Sequence, residues 1–392
     1  MRILFLASRF PYPLEKGDKL RAFYQVRELS RNHEVILACV SDSKVPEESM
    51  DALKPYCKKI VVYEISRAKT AWNLARTVFT RRPFQVGYFY SAAFHSKIRE
   101  IIASEKPTHV YCQLVRMAEY MRDENGVVKV LDYMDAFSKG YERLAGRASL
   151  FRKLATKAEW KRLLRYEQHI YEAFHKHIII SDQDRDLIPH PEKARIFVSP
   201  NGVDPVWFSP VTVAKQYDLI FSGNMSYPPN VESATFLAKQ VMPLVNDASL
   251  VIAGAAPSPE VLKLQGERVE VTGWVDDMRE WYGKSRICVA PMLISIGLQN
   301  KIIQAMAMQV PCIVSSQANN AIGAIHGKQL MIADSPEEYA KHIRYLLDNR
   351  DESMRMAAEG AAFVKQKFNW TSIIGKLSDY MEKNSAYSAP QR

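Results

Sequence analysis

Residues 297–308 read Gly297-Leu298-Gln299-Asn300-Lys301-Ile302-Ile303-Gln304-Ala305-Met306-Ala307-Met308. From Ile302 the pattern is that of a buried helix, and the polar lead-in marks its start. The runs on either side, Ile287–Ala290 and Cys312–Ser315, are short and apolar, as strands covered on both faces are. A helix N-terminus exposes unpaired N–H groups and about half a positive charge, and here a lysine joins it. Such a start suits a diphosphate, because N–H groups and cations can hold its charge where no acidic metal motif is present.

The same strand–helix alternation extends in both directions. Strands at Asp218–Ser222, Ser249–Ala253, Val269–Thr272 and Leu330–Ala333 and a helix over Val231–Val241 complete one series. Ser335-Pro336-Glu337-Glu338 opens a further helix with a capping box and a proline at the first helical position. Towards the N-terminus, strands are expected at Ile3–Ala7, Glu34–Val40, Lys59–Glu64, Thr108–Cys112, Val127–Asp132 and His177–Ser181. A helix from Asp18 to about Arg31 follows the first of them. Between the two series lies Pro200-Asn201-Gly202-Val203-Asp204-Pro205, which is turn chemistry. The expected organisation is a domain over 1–198, a linker over 199–215, a second domain over 216–365 and a terminal segment 366–392. Each domain is a doubly wound parallel sheet, and ligands bind such sheets beyond the carboxyl ends of the strands.

Composition narrows the function. The chain has 392 residues, 47% hydrophobic and 24% charged, which suits two α/β cores. Its five cysteines are scattered with no C-x-x-C pair, so neither a disulfide framework nor a zinc site is expected. No apolar run reaches the ~18 residues of a membrane span. The opening apolar stretch stops too soon for a signal peptide, so a cytoplasmic protein is expected. The formal charge is +10, and much of it falls between Lys139 and Arg165, read as one amphipathic basic helix. That helix is either a solvated face or a contact with an anionic membrane surface. No helix-turn-helix, RNA-recognition signature or zinc finger points to nucleic acid. The absence of a P-loop, of G-x-G-x-x-G after the first strand and of G-x-S-x-G argues against the commonest alternative chemistries of this fold class.

Three segments resemble family 4 retaining glycosyltransferases: Pro200–Asp204 with Phe208 and Pro210, Val271-Thr272-Gly273-Trp274-Val275, and the run Pro291–Ser315 with its Asn300-Lys301, Ala305–Met308 and Pro311–Val314. The start, Phe10-Pro11-Tyr12-Pro13 with Lys16-Gly17-Asp18-Lys19-Leu20-Arg21, resembles the subgroup associated with bacterial exopolysaccharide export. The resemblance implies a GT-B fold of two Rossmann-like domains facing a cleft, with the last helix returning to the N-terminal domain. It further implies a nucleotide-sugar donor, a glycan or lipid-linked acceptor, retention of configuration, and no metal or other cofactor. Carried over residue by residue, Gly17, Gly223 and Asn224 approach the donor. Gly273, Trp274 and Val275 hold the base, Gly297, Gln299, Asn300 and Lys301 the diphosphate, and Gln304 the ribose.

The chain departs from the family in three places. The two glutamates that members carry eight positions apart are Ile296 and Gln304 here. The Arg and Lys common after the strand of the Gly223 loop are replaced by Asn224-Met225-Ser226-Tyr227-Pro228-Pro229-Asn230, which leaves more of the phosphate charge to Lys301. The histidine common after an N-domain strand has no counterpart in Val110-Tyr111-Cys112-Gln113. Asp132 and Asp135, at a strand end, are the candidate catalytic carboxylates, with helix capping as the other reading of Asp135. The expected activity is sugar transfer. A nucleotide-sugar epimerase of the same fold and a non-catalytic partner subunit are the alternatives.

Overall fold

β1 (Arg2–Ala7) sets the pattern of the first unit. Ile3, Phe5 and Ala7 join one apolar cluster, and Leu4 and Leu6 join another. Successive side chains on a strand point to opposite faces, so an unbroken apolar run means that both faces are covered. The computed structural model, which describes residues 1–14, 16–80, 82–147, 150–293 and 298–383, shows how. β1 lies inside a seven-stranded parallel sheet with β2 (Glu34–Ser41), β3 (Lys59–Glu64), β4 (His109–Gln113), β5 (Val128–Asp132), β6 (Lys176–Ile179) and β7 (Phe197–Val198). The strand order is β3-β2-β1-β4-β5-β6-β7.

One face of this sheet is completed by the helix Trp370–Glu382, which lays Trp370, Ile373, Ile374, Leu377 and Met381 onto it. Trp370 stacks on Tyr24 with ring centroids 5.0 Å apart. The unit therefore comprises Met1–Pro200 and the chain from Trp370 onwards.

The second unit, Asn201–Asn369, repeats the design with six parallel strands. They are β8 (Tyr217–Ser222), β9 (Leu250–Ala253), β10 (Val269–Gly273), β11 (Ser285–Ala290), β12 (Cys312–Val314) and β13 (Met331–Ile332), in the order β10-β9-β8-β11-β12-β13. The segment read as a linker belongs largely to this unit. Val203 donates its N–H to the Phe368 carbonyl at 2.7 Å, and Lys215 Nζ reaches the Ser285 carbonyl at 2.6 Å. The capping box at Ser335 is formed, with Glu338 as the returning side chain.

The direction of winding reverses between β1 and β4 in one sheet and between β8 and β11 in the other. These are the switch points at which parallel sheets of this kind open a crevice. One expectation fails: the basic stretch is two helices, Phe137–Arg147 and Leu150–Tyr171, rather than one. In the second, Glu159, Leu163, Tyr166, Glu167 and Ile170 are buried. This inward stripe at helical spacing packs the helix on the body and leaves Lys153, Lys157, Lys161 and Arg165 exposed. Among the described residues no helix is long and apolar enough to cross a membrane.

Candidate active site

Lys301 lies at the β8/β11 switch point of the second unit, where its Nζ is held by three groups. It donates to Asn230 Oδ1 at 2.6 Å, touches Met292 Sδ at 3.6 Å and sits 4.5 Å from the centre of the Phe221 ring. Its backbone is fixed as well: Tyr282 Oη donates to the Lys301 carbonyl at 3.1 Å and shares a 2.8 Å hydrogen bond with Ser222 Oγ, at the end of β8. No carboxylate pairs with the ammonium among the described residues. Burial pushes its pKa down to about 7, with Cys288 opposing. The residue is only partly exposed, and a cation so enclosed without a counter-ion is unfavourable unless something else supplies the charge.

The loop beside it explains its glycine. Gly223 has φ 149°, and a Cβ there would lie 2.7 Å from Asn230 Nδ2 and 3.1 Å from Lys301 Nζ. Gly254 is needed for the same loop, since its Cβ would meet the Gly223 carbonyl oxygen at 2.0 Å. Asn224 holds the turn: its Oδ1 accepts from the Ser226 N–H at 2.9 Å, and its carbonyl accepts from Asn230 Nδ2 at 2.8 Å. The loop after β11 is tied down by Ser233 Oγ on the Pro291 carbonyl and Ser315 Oγ on the Met292 carbonyl, both at 2.9 Å.

The other donor-site candidates are placed as follows. Gln299 is the N-cap of helix Asn300–Ala307, without a side-chain cap bond. Asn300 has its Oδ1 engaged by Asn201 Nδ2 at 3.1 Å, so this oxygen serves the fold of its own unit. Gln304 is half-buried one turn further along, on the face that carries Asn300. Gly273 ends β10, and Trp274 is exposed, its Nε1 donating to Asp276 Oδ1 at 3.2 Å. Trp274 and Val275 line a hollow of about 500 Å³ with Trp281 and Glu270. Gly297 and Ile296 lie outside the described residues.

In the first unit the two aspartates part company. Asp132 is not placed to meet a ligand. It is fully buried and accepts from Arg21 Nε at 2.8 Å, Arg21 Nη2 at 3.2 Å, Gln25 Nε2 at 2.9 Å, Tyr111 Oη at 2.7 Å and the Met134 N–H at 2.9 Å. These donors from helix Gly17–Leu29, β4 and the β5 loop make Asp132 the fastener of the unit. The sequence hid this because Arg21 lies 111 residues away. Asp135 is different: its Oδ1 is buried with no hydrogen-bond partner among the described residues. Burial raises its pKa to about 8, with Asp184 adding to the rise and Arg116 opposing it. Between the two, Met134 takes φ 64°, a left-handed conformation that costs about 1–3 kcal/mol in a non-glycine residue.

Three charged residues missed in the sequence surround this edge. Arg9 follows β1 and pairs with Asp18 in the first turn of helix Gly17–Leu29, the helix that Gly17 begins. Arg116 follows β4, lies between the rings of Phe89 and Phe137 at 5.1 and 5.0 Å, and has a buried Nε without a partner. Asp184 follows β6. No local motif marks them; each is legible only as a charged residue just beyond a strand end. Beside them a cavity of about 370 Å³ is lined by Arg9, Tyr12, Lys16, Lys19, Lys44 and Tyr88, among others. Among the described residues no three His, Cys, Asp or Glu side chains converge as a metal site.

Residues 216–349 match the family described as Glycosyl transferases group 1. The chain carries a glycosyl transferases group 1 domain. It is a glycosyltransferase of the GT-B fold. It is 23% identical to an uncharacterized 44.6 kDa protein in the cps region of Klebsiella pneumoniae, over 96% of this chain and 98% of the relative. It superposes on sucrose-phosphate synthase of Thermosynechococcus elongatus with a TM-score of 0.73 at 16% identity, covering 97% of this chain and 98% of that one. Anabaena HepE, solved in complex with UDP, gives a TM-score of 0.68 at 14% identity over 97% of this chain and 99% of its own. The glycosyl transferases group 1 domain contains the whole Lys301 constellation except Asn201.

Proposed function

We propose that this glycosyltransferase moves a hexose-type sugar from a nucleoside diphosphate to a glycan or lipid-linked acceptor, with retention of configuration, in cell-surface polysaccharide synthesis. The observation that carries the donor half is the Lys301 ammonium at the β8/β11 switch point, which has no carboxylate partner among the described residues. A diphosphate arriving there supplies the missing counter-charge. As the glycosidic bond breaks, negative charge grows on the leaving phosphate, and a cation already in place stabilises it without reorganisation. HepE is solved with UDP and with UDP-glucose, which supports a nucleotide sugar as the donor.

On the acceptor side, Asp135 with its pKa near 8 holds a proton at neutral pH. In that form it can donate a hydrogen bond to a sugar or acceptor oxygen, and only its ionised fraction can take the proton of an attacking hydroxyl. The cps-region relative supports the polysaccharide setting. The working place is the inner face of the plasma membrane, approached through the basic stretch 139–165.

The test is calorimetry against a panel of nucleotide sugars, followed by product analysis with the tightest binder. Lys301→Ala is expected to weaken donor binding by at least about tenfold, the loss of a charge-assisted contact. Unchanged affinity removes Lys301 from the donor site. Incubation with donor alone is expected to leave its sugar unisomerised; an isomerised sugar establishes the epimerase instead. Failure of every nucleotide sugar to bind leaves the partner-subunit reading.

A further inference from the structure

Helix Arg67–Val78 turns an apolar face to solvent. Trp72 is 66% exposed, Val78 53% and Phe79, just past the helix end, 91%. Ala68, Ala71 and Ala75 are exposed with them. Spacings of three and four residues put Ala68, Trp72, Ala75 and Phe79 on one side of the helix. Lys69 and Arg76 are exposed beside that stripe. Isolated exposed apolar residues need no explanation, but a continuous stripe containing Trp and Phe does.

The surroundings are cationic. Between Glu64 and Glu100 the sequence has no acidic residue but carries Arg67, Lys69, Arg76, Arg81, Arg82, Lys97 and Arg99. Helix Leu150–Tyr171 locks onto the end of this segment. Arg162 donates to the last carbonyls of the helix, Thr77 at 2.8 Å and Val78 at 3.2 Å, and to the Arg82 carbonyl beyond it at 3.1 Å, placing a positive charge at the helix end. Glu159 accepts from the N–H groups of Phe84 and Gln85 at 2.8 and 2.9 Å. On the flank next to Arg162 the helix exposes Lys157, Lys161 and Arg165 together with Leu154, which is 73% exposed. Two clamped helices thus present Trp72, Phe79 and Leu154 amid lysines and arginines.

We propose that this surface, formed by helix Arg67–Val78 with the outer flank of helix Leu150–Tyr171, docks on an anionic lipid bilayer. Protein interfaces exclude lysine from their centres. A helix that lies in a membrane surface combines Trp, Phe and Leu with Lys and Arg, the rings entering the acyl boundary and the cations meeting headgroup phosphates. The proposal rests on the membrane setting given above and moves the centre of contact from 139–165 to Trp72 and Phe79. Donor binding does not depend on it.

Flotation of the full chain with phosphatidylcholine vesicles, with and without phosphatidylglycerol, tests the surface. The protein is expected to float with the anionic vesicles at low salt, to be released at high salt, and to ignore neutral vesicles. The double variant Trp72→Ser, Phe79→Ser and the double variant Lys157→Glu, Lys161→Glu are each expected to lower partitioning by about tenfold or more. Unchanged melting temperatures show that the variants fold. The proposal is overturned if the wild-type chain stays off anionic vesicles at low salt, or if either double variant floats as well as wild type. It is also overturned if sedimentation shows a lipid-free dimer that Trp72→Ser, Phe79→Ser dissociates, since a second copy then covers the face. Calorimetry of nucleotide binding without lipid separates failure of this surface from failure of the donor site.

Discussion

At the scale of single residues, the decisive feature is a pair of groups whose protonation the fold has displaced in opposite directions. Lys301 titrates near pH 7 because it is buried, whereas donor binding favours its charged form. Binding above pH 7 must therefore draw in a proton. Affinity is expected to fall by up to about tenfold per pH unit above 7. Calorimetry at pH 8 in buffers of different ionisation heat should show proton uptake, and Lys301→Met should abolish it. Asp135 has the opposite sign. Its folded pKa near 8 lies above the usual carboxylate value, so the folded state holds a proton that the unfolded state has released. The stability linked to it is present at low pH and is lost as pH rises from about 4 to 8. Asp135→Asn is expected to raise the melting temperature at pH 8, at roughly 2–4 °C per kcal/mol, while lowering turnover. An unchanged melting temperature would show that this carboxyl is not held protonated. Lys301 was legible in the sequence because a helix start after an apolar strand is a local pattern. Asp132 looked equivalent to Asp135 because the difference between them lies in Arg21, Gln25 and Tyr111, which the sequence does not place beside either.

Among elements, parallel strands were the most legible part of the chain, because each is a short apolar run with turn residues around it. The helix boundary at Ser335 was equally plain, since a capping box is written in four consecutive residues. The basic stretch misled for the opposite reason: its helical spacing was read from Leu150 onwards and its charge from Lys139, and charge alone does not tell whether Phe137–Arg147 and Leu150–Tyr171 are one helix or two. The helix Trp370–Glu382 buries five apolar side chains against the first sheet. Its anchor is Trp370, stacked on Tyr24 and almost fully buried. Trp370→Ala is expected to destabilise the first unit by about 3–5 kcal/mol, measured by urea unfolding. A loss below about 1 kcal/mol would mean that the helix adds little to that core.

On the scale of the whole molecule, two parallel sheets with separate cores predict two unfolding events. Nucleotide is proposed to bind the second unit, so it should raise only one of the transitions. The expected gain is about 2.7 kcal/mol at a hundredfold excess over the dissociation constant. Calorimetric scans with and without nucleotide check this, and equal shifts of both transitions would contradict a donor site confined to residues 201–369. Two parallel-sheet domains were open to sequence reading because each strand–helix series is periodic and a turn-rich stretch separates them; the GT-B assignment came from the resemblance. The charged edge around Asp135 was not, because Arg9, Arg116 and Asp184 come together only when the strands are laid side by side.

The closing helix has one more consequence, in the order of synthesis. Residues 1–200 emerge from the ribosome first, but one face of their sheet lacks Trp370 and its neighbours until some 170 residues later. At bacterial to eukaryotic elongation speeds that interval is about 10–30 s. During it the nascent first half exposes an apolar sheet face, while the second half can close around its own strands as soon as it is made. The later-born half is therefore complete first, and the earlier-born half completes its core only when residues 370–382 arrive.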